Sequence, residues 1–363
     1  MSKEFLSNMH IVFIASSASI HSIRWINYCV DKKIKISLIS LNEPSHMTEL
    51  ELNKIKNKLN IYSFDNLKNI YKTVTFLALG NYSFIHIHYL GWHSLLTIFK
   101  KPKSKLILTP WGSDLLRNKT FFKETWFRIL FRKANYLICD SERLKDEAIR
   151  LGMNKKNTSI SMFGVDTNLY SKTRQIFSEK NIYFVGSNRN LESVYDVKTF
   201  LKAAKSISDI RGDVFFLIAG DGSKKESLKN FVRHHKLSSN IKFLGLLDKE
   251  EMIEFYNRID IYVSTSLSDG GLAASIAEAM SFERMIIISN NSDNKFWIKN
   301  KKNGYLFESR DHISLTKLIL QAIDQKEESL KIAESSRDLI INKYSYQKEM
   351  GKVIKKYKQI LNQ

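Results

Sequence analysis

Residues 261–289 read IYVSTSLSDGGLAASIAEAMSFERMIIIS. The opening IYVS and the closing MIIIS are short apolar runs, rich in Ile and Val, of the kind found in strands buried on both faces. Between them Asp269, Gly270 and Gly271 form a turn, and the small residues after it carry a helix. Strand, helix and strand in so short a span make a βαβ unit, and hence a parallel sheet. The same run places chemistry at the carboxyl end of its first strand. Two glycines at a helix start let a ligand approach the backbone, and the amides of Leu272, Ala273 and Ala274, with the helix dipole, favour an anion such as a diphosphate. Glu278 lies one turn beyond Ala274 on the same face, so its carboxylate can reach the same ligand. The plainer alternative is an Asp-Gly-Gly turn with a solvent-facing Glu, and spacing alone favours it.

The pattern extends outward. Residues 182–185 (IYFV), 214–219 (VFFLIA) and 241–244 (IKFL) read as further strands of this second half, each followed by helical periodicity. In the first half, 10–15, 34–40, 84–89, 106–109 and 136–139 read as strands, with helices at 20–30 and 121–133 and an N-cap at Ser141. The fold class is therefore α/β, with two doubly wound Rossmann-like domains. The polar, weakly periodic segment 167–181 is the expected linker. It separates an N-terminal domain, 1–166, from a C-terminal domain, 182–340, and residues 341–363 form a last helix expected to pack back on the N-terminal domain. Two such domains facing across a cleft would take ligands at the carboxyl ends of both sheets.

The 363 residues are 43% hydrophobic and 26% charged, with 3 Pro and 14 Gly, which excludes a low-complexity or collagen-like chain. Two cysteines, Cys29 and Cys139, cannot build a disulfide framework, and point to a reducing cytosol. The start resembles a weak secretory signal, but the short apolar run is better read as a first buried strand. From Lys72 to Lys100 no charged residue intervenes, yet Gly80, Asn81, Ser83 and three histidines break that stretch into a helix end, a turn and a strand. Net charge is +20; residues 1–166 hold 25 Lys and Arg against 13 Asp and Glu. Such an excess favours nucleic acid, phospholipid head groups or phosphorylated substrates as partners.

The 264–282 segment, the following MIIISN and NGYLF, the opening HIVFIASSASIHSIRW, and HIHYLGW, TPWGSD, FGVD, FVGSNRN and LIAGDGSKKESL together resemble glycosyltransferase family 4 over nearly the whole chain. That resemblance implies the GT-B fold and sugar transfer with retention from a nucleotide diphosphate sugar; a UDP-linked donor is the preferred reading, and, as the chain has no Asp-x-Asp pair, no metal cofactor is expected. In that family a Glu, seven residues and a second Glu contact donor sugar and ribose. Here Glu278 matches the second, and Asp269, with eight residues between, stands at the first. The resemblance further implies a cation after the first C-terminal-domain strand to neutralise the leaving diphosphate. Arg189 is the choice, since a guanidinium clamps two phosphate oxygens, and Lys198 is the weaker one. Asp269 and Arg189 are thus the expected catalytic pair, and Gly270, Gly271, Leu272, Ala273, Ala274, Glu278 and Lys198 the expected donor-binding set.

On the acceptor side, His21 and Arg24 open a helix that could hold an acceptor phosphate or hydroxyl. Trp111 could stack on a sugar and Asp114 bind a hydroxyl, although a core role for Trp111 is as well supported. His86 and His88 share one strand face without the further ligands a metal needs. The Gly220-Asp221-Gly222 segment reads as a turn. Residues 117–133 interleave aromatic and basic residues, which fits both core packing and contact with an anionic membrane surface. The expected enzyme is a cytoplasmic glycosyltransferase, peripheral on the inner face of the membrane, acting on a lipid-linked or surface-polysaccharide acceptor. A nucleotide-sugar epimerase or hydrolase of the same fold is the rival. A non-catalytic nucleic-acid-binding protein is the other; no binding motif speaks for it, so no nucleic acid is expected as partner.

Overall fold

The computed structural model describes residues 6–362 apart from 41, 63–66, 96, 98–103, 117–119, 179–180, 270 and 292. The chain divides into two compact units, Met1–Phe163 with Met350–Gln363, and Gly164–Glu349.

The first unit holds a seven-stranded parallel sheet of β1 (His10–Ala15), β2 (Lys35–Ser40), β3 (Leu59–Tyr62), β4 (Phe84–His88), β5 (Lys105–Thr109), β6 (Tyr136–Cys139) and β7 (Thr158–Ile160), in the order β3-β2-β1-β4-β5-β6-β7. β4 is buried along its whole length and β1 everywhere but at His10; the apolar residues of both lie inside, and the two histidines of β4 are buried with hydrogen-bond partners. The chain reverses its winding between β1 and β4, which makes their carboxyl ends the switch point of this sheet. The final helix, Tyr346–Leu361, contributes Met350, Val353, Ile354, Tyr357 and Ile360 to the interior at the spacing of one helix face. The Tyr357 hydroxyl accepts from Trp25 Nε1 at 3.1 Å and lies 2.7 Å from His86 Nδ1, while Lys105 Nζ donates to the Ile360 carbonyl. In the helix Phe121–Lys133, capped by the Thr120 hydroxyl, Phe127, Leu130 and Phe131 enter the core, whereas Phe121 and Phe122 remain 80% and 85% exposed.

The second unit holds a six-stranded parallel sheet of β8 (Tyr183–Ser187), β9 (Val214–Ala219), β10 (Ile241–Gly245), β11 (Ile261–Ser264), β12 (Met285–Ser289) and β13 (Tyr305–Phe307), in the order β10-β9-β8-β11-β12-β13. Its switch point lies between β8 and β11, which pair directly. The division of the chain falls at 163/164, a few residues before the expected boundary, and the expected linker 167–181 is built into this unit. Ile176 is buried in its core, and Arg174 donates to the carbonyls of Asn257 (2.9 Å) and Arg258 (2.6 Å) and to the Asp260 carboxylate at 3.0 Å. The fully buried Arg284 donates to the carbonyls of Phe282, Ile259 and Arg174. Arg174 thus ties the segment to backbone carbonyls of the unit, while Asn168, Lys172, Thr173, Gln175 and Ser178 keep the exposed polarity that marked it as a linker. Burial draws the Arg284 pKa down to about 10.

Candidate functional site

At the switch point of the second sheet, the loop after β8 carries Asn188 and Arg189, and the loop after β11 carries Ser266 and Asp269. Arg189 Nη2 donates to the Asp269 carboxylate and, at 3.2 Å, to Ser266 Oγ; Nη1 donates to Ser275 Oγ at 3.0 Å. The guanidinium also lies over the Tyr195 ring, 4.5 Å from its centroid. The side chains of Arg189 and Asp269 are only 12% and 4% exposed, so the pair sits in a poorly screened environment. Behind it, Gly220 has φ +122°, and a Cβ there would stand 2.6 Å from the Arg189 carbonyl oxygen. The Gly220–Gly222 turn is therefore the floor of the Arg189 loop, which the sequence, offering only two glycines, did not show.

Helix Ala274–Ser281 starts where the β11 loop ends. The amides of Leu272, Ala273 and Ala274 donate to no described group, leaving them for an anion. The Gly271 amide differs: it donates to Asp293 Oδ2 at 3.2 Å, in a backbone bend with φ +89°. Gly270 lies outside the described residues. One turn into the helix, Glu278 Oε2 is 2.9 Å from the Tyr256 hydroxyl, which also approaches the Ser275 carbonyl at 3.1 Å and accepts from Asn188 Nδ2 at 2.7 Å. Burial, then the Glu278 charge, holds the Tyr256 phenol well above its ordinary range, so it remains a donor toward Glu278. Lys198 is exposed on its helix, and its side chain makes no hydrogen bond or ion pair with a described residue. Asn188, Tyr195, Tyr256, Ser266, Ser275 and Asp293 are the residues that sequence reasoning missed; Asn188, as the neighbour of Arg189, and Ser266 and Ser275, inside the 261–289 stretch, had a signal.

The carboxyl end of the first sheet is aromatic instead. His21, in the helix Ile20–Asp31, stacks on Phe163 at 4.5 Å and meets Trp111 edge-on at 5.4 Å, and Trp111 contacts Phe163 at 4.7 Å and His88 at 5.6 Å. Burial, helped by Arg24, lowers the His21 pKa to about 4, and burial lowers that of His88 to about 3, so both imidazoles are neutral near pH 7. The His21 Nδ1, His88 Nε2 and Trp111 Nε1 atoms are buried without hydrogen-bond partners among the described residues. His86 and His88 are absorbed by Tyr357, Thr109 and Ser22. Asp114 is 3% exposed, and its carboxylate accepts the amides of Leu90 (2.7 Å), Trp111 (3.0 Å) and Leu115 (3.0 Å), so it holds the loop that presents Trp111. Burial raises its pKa against the lowering effect of those amides.

Residues 170–339 match the family model described as glycosyl transferases group 1, and residues 10–141 the model described as glycosyl transferase 4-like; between them they span most of the chain. A glycosyltransferase of uncharacterised activity from Methanocaldococcus jannaschii is 23% identical over 324 residues, 85% of this chain and 81% of that protein. The UDP-Gal:alpha-D-GlcNAc-diphosphoundecaprenol alpha-1,3-galactosyltransferase of Escherichia coli is 28% identical over 157 residues, 42% of this chain and 40% of that protein. The crystal structure of Anabaena HepE in complex with UDP superposes with a TM-score of 0.80 over 97% of this chain and 100% of that one, at 14% identity. The chain belongs to the group 1 glycosyltransferases: it is a glycosyltransferase built of two Rossmann-like units of the GT-B fold.

Proposed function

We propose that this glycosyltransferase takes a sugar from a UDP-linked donor and transfers it, with retention and without a metal, to a lipid-linked or surface-polysaccharide acceptor. The observation that carries the donor assignment is the meeting of Arg189 with the start of helix Ala274–Ser281 through Ser275, beside three amides that donate to no described group. A cation, oriented amides and a helix dipole converge there, which is what a diphosphate leaving group needs as its charge grows. Glu278, held from the side by Tyr256, is placed one turn further to accept from ribose hydroxyls. The UDP in the HepE structure and the UDP-galactose in the name of the Escherichia coli relative favour uridine. The lipid diphosphate in that relative's name, and the exposed Phe121 and Phe122 beside Lys123, favour an acceptor at an anionic membrane surface, on its cytoplasmic side. No helix among the described residues is long and apolar enough to cross a membrane, so such an acceptor would be met from the surface. His21, Arg24 and Trp111 form the acceptor side, with Asp114 organising the loop. Arg117 and Lys119, at the start of the basic aromatic stretch 117–133, lie outside the described residues.

Incubation with UDP-glucose, UDP-galactose and UDP-N-acetylglucosamine and a polyprenyl-diphosphate-linked sugar tests this reading. Release of UDP matched by an α-linked product is the expected result. Sugar release or epimerised donor without any acceptor would replace it with the hydrolase or epimerase reading.

A further inference from the structure

We propose that Asp269 is an internal counter-ion of Arg189, exchanged for the donor diphosphate on binding, and that the released carboxylate then reads the sugar. This rests on the assignment of Arg189 to the diphosphate. The guanidinium has no open clamp: Nη1 is bonded to Ser275, Nη2 to Ser266 and Asp269, and one face is covered by Tyr195. Nε is buried without a described partner, but either fork that clamps a phosphate, Nη1 with Nη2 or Nε with Nη2, needs an Nη2 hydrogen, and both of those are taken. Two parallel N–H bonds to phosphate oxygens therefore require at least one existing partner to leave.

Electrostatics selects Asp269 as that partner. A diphosphate drawn to Arg189 would place further negative charge beside a carboxylate that is 4% exposed, where repulsion is weakly screened. Among the described residues no second cation bonds Asp269 to offset it; the other groups near its oxygens are the Ser266 hydroxyl at 3.2 Å and Asn291 Nδ2 at 3.5 Å from Oδ2. These two can keep the carboxylate partly solvated once Arg189 is lost. A bare nucleoside diphosphate breaks the ion pair with no return, whereas a sugar nucleotide brings hydroxyls that donate to the freed carboxylate. Asp269 is then a specificity device, biasing the site against the nucleoside diphosphate product relative to the donor.

Calorimetric titration of UDP, UDP-glucose, UDP-galactose and uridine into the wild-type chain and the Asp269→Asn variant tests the exchange, with Asp269→Ser as a second variant should the first not fold. UDP should bind at least tenfold more tightly to the variant, about 1.4 kcal/mol, with uridine unchanged and sugar nucleotides gaining less than UDP. A purely structural aspartate would give weaker or unchanged binding. Detectable wild-type affinity for UDP that a folded variant does not improve overturns the exchange while leaving the donor site standing. No binding of any of these nucleotides by wild type or variants overturns both.

Discussion

The two sheets end in chemically opposite sites. The second unit gathers a cation, an anion, oriented amides and a glutamate at the β8/β11 switch point, while the first gathers His21, His88, Trp111 and Phe163 at the β1/β4 end, with imidazoles that burial keeps neutral. The same doubly wound topology creates a crevice at each switch point, and the side chains decide what each can hold. The second is equipped to manage charge and the first to present flat apolar surface with few polar atoms, a division suited to a phosphate-bearing donor and a sugar-bearing acceptor.

The largest effect that would break this contrast is at Arg189. Arg189→Ala should lower turnover by about 10²–10³-fold, the usual loss for a donor that meets charge developing in the transition state, and lower turnover more than donor binding. Steady-state assays with saturating acceptor check this; full activity would move the charge work elsewhere, with Lys198→Ala as the comparison. Gly220→Ala comes next. Its left-handed backbone and the 2.6 Å approach to the Arg189 carbonyl predict a loss of about 1–3 kcal/mol in stability, read by urea unfolding.

Much of this contrast was legible in the sequence and part was not. Runs rich in Ile, Val, Leu and Phe located β1, β2, β4, β5, β6 and β8 to β12, because most of these strands are buried on both faces and so few of their positions are polar. β3 (LNIY) and β7 (TSI) are short edge strands, and β13 (YLF) follows a turn and reads as part of it. Arg189 and Asp269 stood out singly, but a bond across 80 positions has no local signature. Asp114 was expected to bind a hydroxyl, and three backbone amides claim its carboxylate instead. Tyr256 looked like one aromatic in an amphipathic helix; only the fold puts its hydroxyl on Glu278.

Tyr256→Phe sharpens the donor side. It removes the donor that orients Glu278, and should weaken UDP binding by about 1 kcal/mol, whereas Glu278→Gln should cost about 1.5–3 kcal/mol, both by calorimetry. Acid sensitivity sharpens the acceptor side. His21 and His88 have folded pKa values of about 4 and about 3, below the unfolded value of about 6.5, so the unfolded chain binds the extra protons. The stability they support is complete above about pH 6.5 and falls as pH drops toward 4. His21→Phe should make that acid limb shallower by up to about 1.4 kcal/mol per pH unit, measured as unfolding free energy against pH. The smallest effect is at the surface: Phe121→Ser with Phe122→Ser should weaken binding to anionic vesicles severalfold, with folding unchanged because both rings are exposed.

The most direct test of the division of labour is UDP affinity in two variants, one from each site, titrated side by side with the wild-type chain. Arg189→Gln should reduce UDP affinity at least tenfold, while His21→Phe leaves it within about twofold of wild type. Equal losses in both, or an Arg189→Gln variant that binds UDP as tightly as the wild-type chain, would contradict the assignment of charge to one unit and aromatic surface to the other.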